Sequence, residues 1–424
     1  MKSFKGWGIL FTVLLILSSC SFHDRGTQTT YFKEEELIEL ELFIPKAETA
    51  EIFEQLITEF EEQNPNIRVN QVIVPDGMIV LKKRIARGDL PDIFVTYPIE
   101  QDYIIRAKKG YLLDLTNESF IQEIEPEIQF RYLVDGKMYG VALTQNAVGV
   151  LYNKTIFQKH QLEVPKTWDE FINTLEKLQS VGEVPILMAN NDPAQTSVFN
   201  LNLVANQFPP SYWEQINDGR VKISEDPEWR KVAEKMLEIV RFAESQSFEM
   251  NFHDVNERFA SGYGAMYVMG TWALPLIKER NPALNFGIFP FPANNAPLKN
   301  KVLGGVDIGF SIAADTRYPE EAKKFLEFLV KKENAQRISY FEGSISTVKS
   351  VNATKGEVKL LAEYIRNGQF TNWPNHYWIG GTSAESDFRK LSWEFFKNQD
   401  IEEYLRQLDH MFQYYNNQYE KVEE

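Results

Sequence analysis

The stretch IELELFIPKAETAEIFEQLITEFEEQNPNIRVNQVIVPDGMIVLKKRIARGDLPDIFV, residues 38–95, decides the fold class. Ile38, Leu40, Leu42 and Ile44 alternate with Glu39, Glu41 and Phe43, the two-residue period of a strand. Ile52, Phe53, Leu56, Ile57 and Phe60 then recur at the three- and four-residue spacing of one helix face. Asn64-Pro65-Asn66 ends that helix, since proline cannot continue it and asparagine accepts turn geometry. Residues 67–74 read as a second strand, 81–86 as a short helix, and 92–95, after Pro91, as a third and buried strand. Strand, helix, strand, helix, strand opens a parallel α/β layer. Ligands of such sheets sit beyond the carboxyl ends of the strands, which points to the loops 45–49 and 96–101.

Further along, Thr167-Trp168-Asp169-Glu170 carries a capping box and starts a helix that buries Phe171, Leu175 and Leu178. Another amphipathic helix follows Pro319, with Ala322, Phe325, Leu326 and Leu329 on one face. No internal repeat or low-complexity segment interrupts the pattern. Upstream, Lys2 and Lys5 precede an apolar run at 9–17 that ends in Leu17-Ser18-Ser19-Cys20. A charged start, a short apolar core and small residues before a cut describe an exported precursor. The run is shorter than the roughly 20 residues of a membrane-spanning helix. Cys20 is the only cysteine, and its place after small residues resembles the lipobox of bacterial lipoproteins. Residues 21–33 are polar and aperiodic, as in a flexible tether. A single cysteine leaves no internal disulfide, so packing alone must stabilise the fold, and 43% hydrophobic residues supply it.

The charge of −15 argues against nucleic acid, whose phosphates would be repelled. His23, His160, His253, His376 and His410 are scattered without metal-ligand spacing, so no metal or cofactor is implied. Gly262-Tyr263-Gly264 is followed by Tyr267 where a dinucleotide loop needs a third glycine, and no nucleophile elbow occurs. Acidic residues are plentiful, and a glycosidase needs only two at the right separation. A secreted carbohydrate-active hydrolase is therefore the rival from another functional class.

Nine segments resemble, in the same order, the extracellular solute-binding protein family 1, which includes maltose-binding protein and oligosaccharide-binding lipoproteins of ABC sugar importers. They are FEEQNPNI at 60–67, DLPDI at 89–93, LLDLT at 112–116, GKMYG at 136–140 and GVLYNK at 149–154. PKTW at 165–168, FASGYGAMYVMGTW at 259–272, FGIFPFP at 286–292 and GGVD at 304–307 follow. The resemblance implies an α/β periplasmic-binding-protein-like fold: two discontinuous lobes, a hinge and an interlobe cleft. Lobe one is expected at 36–147 plus 308–344, and lobe two at 148–307 plus 345–424. Ahead of them lie a lipoprotein signal peptide at 1–19 and the tether at 20–35. It further implies a monomer that catalyses nothing and captures a sugar, an oligosaccharide in expectation, for an ABC permease. Lipidated, palmitate-bearing Cys20 would hold it to the cell membrane, outside the cytoplasm. A surface carbohydrate adhesin is the other alternative.

Sugars present hydroxyls at the ring edge and C–H patches on the faces, so a site needs planar polar groups and aromatic platforms. Trp272, in Met269-Gly270-Thr271-Trp272, resembles the family's stacking tryptophan; the alternative is a core side chain. Asn146 stands where the family places a polar sugar contact, or it caps a hinge strand. Asp192, in Asn190-Asn191-Asp192-Pro193, matches a contact loop of maltose-binding protein, or simply makes a turn. Lys46 and Glu48 follow the first strand, either as contacts or as solvated charges, and Tyr97 follows the third. Asp307 reaches towards the cleft beside Gly304 and Gly305, which would let the backbone bend at a hinge. Trp373 and Trp378 bracket NWPNHYW at 372–378, and at least one is expected to stack on sugar. Here the chain departs from maltose-binding protein.

Overall fold

In the computed structural model of the protein, the described residues are 37–423 without 75–76, 99–100 and 352–355, and without the side chains of Glu48 and 419–423. Cys20 and the expected signal peptide and tether lie outside them. The strands are β1 (Ile38–Phe43), β2 (Ile67–Val72), β3 (Ile93–Val95), β4 (Leu133–Val134), β5 (Lys137–Met138) and β6 (Val141–Asn153). They continue with β7 (Ile186–Leu187), β8 (Met266–Gly270), β9 (Phe286–Pro290), β10 (Val302–Ile312), β11 (Ile345–Ser346) and β12 (Phe370–Asn372).

The alternating stretch at the start forms β1, which runs parallel to β2 from Ile38 opposite Ile67 to Phe43 opposite Val72, and parallel to β3 at Leu42 and Ile93. Helix Ala50–Gln63 buries the expected face, Ile52, Phe53, Leu56, Ile57 and Phe60. The helix expected at 81–86 begins earlier, at Gly77, and buries little beyond Leu81. Thr167 Oγ1 accepts from the Glu170 amide at 3.2 Å and a Glu170 carboxylate oxygen accepts from the Thr167 amide at 3.3 Å, closing the capping box of helix Trp168–Ser180. The helix after Pro319 runs Pro319–Val330.

The main sheet has the order β2-β1-β3-β10-β6-β8-β7, with β9 and β11 also on β6 and β12 also on β10. Buried apolar side chains divide into two clusters along it. One gathers around β1, β3 and helices Ala50–Gln63 and Pro319–Val330, with Phe53 edge-on to Phe310 at 5.8 Å and Phe60 edge-on to Phe325 at 5.0 Å. The other gathers around β8, β9 and helices Trp168–Ser180 and Thr382–Asn398, where Phe291 packs edge-on to Phe171 and Phe199.

Only the long antiparallel pair β6 and β10 runs the length of both clusters among the described strands. On β6, Val141, Ala142 and Leu143 belong to the first cluster and Ala147, Val148, Val150 and Leu151 to the second. Thr144, Gln145 and Asn146 stand between, buried but polar. On β10, Val302 and Leu303 belong to the second cluster and Val306, Ile308, Phe310 and Ile312 to the first. β6 thus changes core where its side chains turn polar, and β10 changes core at Gly304-Gly305.

Trp378 does not bear out the sequence reading. It is 1% exposed, with ring centroids of Trp213, Phe388 and Phe412 within 5.0–5.5 Å. An aromatic-rich loop has two faces, and Trp378 faces the core. Trp378→Ala is therefore expected to cost about 3–5 kcal/mol of stability, the usual range for truncating a buried tryptophan. Urea unfolding should show the loss as a lower midpoint at an unchanged slope. A variant as stable as the parent would place the side chain outside the core.

Candidate ligand-binding cleft

A cleft of about 1350 Å³ opens beside the stretch where β6 and β10 change core. From one side it is lined by Pro45 and Lys46, after β1, and by Tyr97, after β3, at the carboxyl ends of those strands. From the other side come Gln195 and Ser197 of helix Pro193–Gln207, with Trp272 and Trp373. Asn146 and Asp307 lie along its floor.

The floor begins with an irregularity in the ladder. Val306 pairs with Gln145 and Ile308 with Thr144, so Asp307 is the extra residue of a bulge. A bulge re-aims one side chain without ending the pairing. Asp307 Oδ2 takes the Lys46 ammonium at 2.8 Å, and Asp307 Oδ1 accepts from Asn146 Nδ2 at 3.1 Å. Asn146 Oδ1 accepts in turn from the Gly305 amide at 3.0 Å and from Trp373 Nε1 at 3.2 Å. Glu342, at the end of helix Lys332–Glu342, lies 3.7 Å from Lys46 and accepts from Thr144 Oγ1 at 2.9 Å. Burial works against the charged Lys46, but Asp307 and Glu342 outweigh it and raise the ammonium above its ordinary pKa. Burial likewise pushes the Glu342 carboxyl upward, while Lys46 pulls it back.

Gly304 and Gly305 serve closeness here. Neither has a positive φ. A Cβ on Gly304 would stand 2.2 Å from the Asn146 carbonyl oxygen, and one on Gly305 would stand 2.9 Å from Trp373 Cδ1. The same holds under the aromatic wall, where a Cβ on Gly270 would lie 1.9 Å from the Trp272 ring. Trp272 and Trp373 stand with ring centroids 6.2 Å apart and planes tilted by 39°. Both are half-buried. Arg389 and Glu385, ion-paired on helix Thr382–Asn398, line another part of the wall.

A family model of the bacterial extracellular solute-binding proteins matches residues 46–336. The chain belongs to that family. Its members are binding proteins rather than enzymes, and they work outside the cytoplasm. This solute-binding protein is 29% identical to the multiple sugar-binding protein of Streptococcus mutans over 403 residues, 92% of each chain. Among solved structures it resembles SBP RafE in complex with raffinose, at 28% identity and TM-score 0.82 over 88% of this chain and 98% of that one. The apo form of RafE from Streptococcus pneumoniae gives 27% identity and 0.76 over 89% and 97%. The two-lobed α/β fold expected from the sequence is the fold of these neighbours.

Of the residues singled out in the sequence, the solute-binding protein brings Lys46, Tyr97, Asn146, Trp272, Asp307 and Trp373 to one cleft. Trp378 lies in the core behind it. Asp192 caps helix Pro193–Gln207, accepting from the Ala194 amide at 3.0 Å and the Gln195 amide at 3.4 Å, and so makes the turn that presents Gln195. The Glu48 side chain lies outside the described residues. Sequence reading missed Glu342, Glu385 and Arg389, which reach the cleft from distant segments and carry no local motif, and passed over His376 inside the aromatic stretch at 372–378.

His376 supplies a test of the wall. Burial, with the Arg131 guanidinium adding to it, pushes the imidazole pKa down to about 3, so the ring is neutral at physiological pH. The unfolded chain takes up that proton near the ordinary value of 6.5. Between these two values the unfolded state binds more protons, and stability falls as pH falls. His376→Asn should flatten the decline of unfolding free energy from pH 6.5 to pH 4, measured by urea titration beside the parent. Parallel curves for the two proteins would mean that His376 protonates freely in the fold.

Proposed function

We propose that this protein captures a neutral oligosaccharide in the cleft by closure of its two lobes and delivers it to an ABC permease. One observation carries the reading: two half-buried tryptophans flank a hydrogen-bonded floor, and the cations lining the cleft are already neutralised. Aromatic faces suit the C–H patches of a sugar, and planar Asn and Asp groups suit its hydroxyl edge. Among the described lining residues the formal cations are Lys46, paired with Asp307, and Arg389, paired with Glu385. An anionic ligand would therefore have to displace a carboxylate. The volume of about 1350 Å³ exceeds the roughly 300–1,000 Å³ of ordinary small-molecule pockets, which favours several sugar rings over one.

In this reading lobe one is expected near 36–147 plus 308–344 and lobe two near 148–307 plus 345–424, with Ala147, Val306, Val348 and Val351 packing across those bounds. Sugar favours the closed arrangement because both lobes touch it only there. The TM-score is higher to the RafE complex with raffinose than to the apo form of RafE from Streptococcus pneumoniae, which supports a lobe arrangement nearer that of the complex. The protein acts as a monomer, and its permease subunits and their ATPases do the energy-consuming work. Lipidated Cys20 holds it to the membrane, on the strength of the lipobox at 17–20.

Raffinose, the ligand named in the RafE complex, is the first probe. Calorimetry should show one-site binding, and chromatography should return the sugar uncut. Trp272→Ala should weaken binding by about 2 kcal/mol or more, over tenfold, with a much smaller effect on the melting temperature. Hydrolysed raffinose, or a preference for a uronate over its neutral counterpart, would contradict the proposal. Loss of folding in Trp272→Ala would move that residue to the core.

A further inference from the structure

Arg131 lies on the turn Phe130–Tyr132, between Ile128 and Tyr132, whose side chains are buried in the first core. Its guanidinium leaves that core and stands 4.5 Å from the centre of the Phe370 ring. Phe370 begins β12, which pairs with β10 from Val302 opposite Phe370 to Gly304 opposite Asn372. The ring is seated on the crossing strand itself, since a Cβ on Gly304 would lie 3.2 Å from Phe370 Cε2. A few residues on, the same segment presents Trp373 and His376 to the cleft and packs Tyr377 against the second core. The segment 370–377 therefore has a cation from the first lobe on its back and the ligand cleft on its front.

The guanidinium is partly withdrawn from water beside this ring. Nη1 is buried and has no hydrogen-bond partner among the described residues. A guanidinium withdrawn from water gains more from an aromatic face than an exposed one does, and a buried donor left unsatisfied is costly. The contact is favourable only while Phe370 stays under the guanidinium, so a rotation of one lobe against the other would break it.

We propose that Arg131 is a positioning residue for ligand capture: stacked on Phe370, it fixes the segment bearing Trp373 and His376 against the first lobe in the arrangement described here. The proposal rests on the sugar-binding reading for its affinity arm, and its scattering arm is independent of that reading.

The test uses the mature chain with Arg131→Met, which keeps the stem without the charge, Arg131→Lys, and Phe370→Leu from the other side. Arg131→Met should weaken raffinose binding about five- to tenfold and shift the unliganded small-angle scattering towards a larger radius of gyration. Phe370→Leu should reproduce both effects, and the double variant should add little to either. Arg131→Lys should recover part of the affinity, because an ammonium also sits over a ring. Unchanged affinity and scattering in Arg131→Met and Phe370→Leu would overturn the proposal, and so would a lowered melting temperature with both readouts unmoved. If the parent itself ignores raffinose, the sugar reading fails for that ligand and the scattering comparison alone decides the role of Arg131. If Arg131→Met does not fold, Phe370→Leu and Arg131→Lys carry the same comparison.

Discussion

The junction of Lys46, Asp307 and Asn146 is the contact on which the two halves of the molecule depend. It joins the end of β1 to both crossing strands, and through Trp373 Nε1 it reaches the aromatic wall. A buried ion pair gains little net stability over apolar packing, but removing one partner leaves an uncompensated charge. These three polar side chains would be poor material for a core. They suit a place where two cores must meet without merging, and where polar groups must stay ready for a polar ligand.

Two antiparallel strands carry this arrangement because they are long enough to belong to both cores. Their apolar residues anchor each end, and Thr144, Gln145, Asn146 and Asp307 interrupt the apolar run midway. Side chains there cannot lock the lobes by hydrophobic packing, so the lobes are held by directional bonds. Directional bonds break and re-form over a short rotation at modest cost, whereas an interdigitated core does not. Ligand affinity then reports the difference between lobe arrangements as well as the contacts themselves.

Much of the fold is legible in the sequence because periodicity survives without knowledge of contacts. The alternation from Ile38 and the helix face from Ile52 give β1 and its helix nearly residue for residue. Thr167 and Glu170 mark a helix start because the cap is a local bond. The site is legible only in part. Trp272 and Asp307 stand in segments that resemble a family and Trp373 in an aromatic stretch that departs from maltose-binding protein, yet Trp378, in that same stretch, belongs to the core. Composition cannot tell one face of a loop from the other. Gly304 and Gly305 read as a flexible pair, whereas what they provide is room for the Asn146 carbonyl and the Trp373 ring. Glu342, His376 and Arg131 become meaningful only when segments far apart in the chain meet.

The central claim is that Trp272 and Trp373 hold a sugar over the Asn146–Asp307 floor between the lobes. A crystal structure of the mature protein grown with raffinose tests it most directly. The account predicts a sugar ring stacked on at least one of the two tryptophans, with ring-edge hydroxyls bonded to Asp307 or Asn146 and groups of both lobes in contact. Raffinose bound outside the cleft, or in it with both tryptophans touching only protein, would contradict the account.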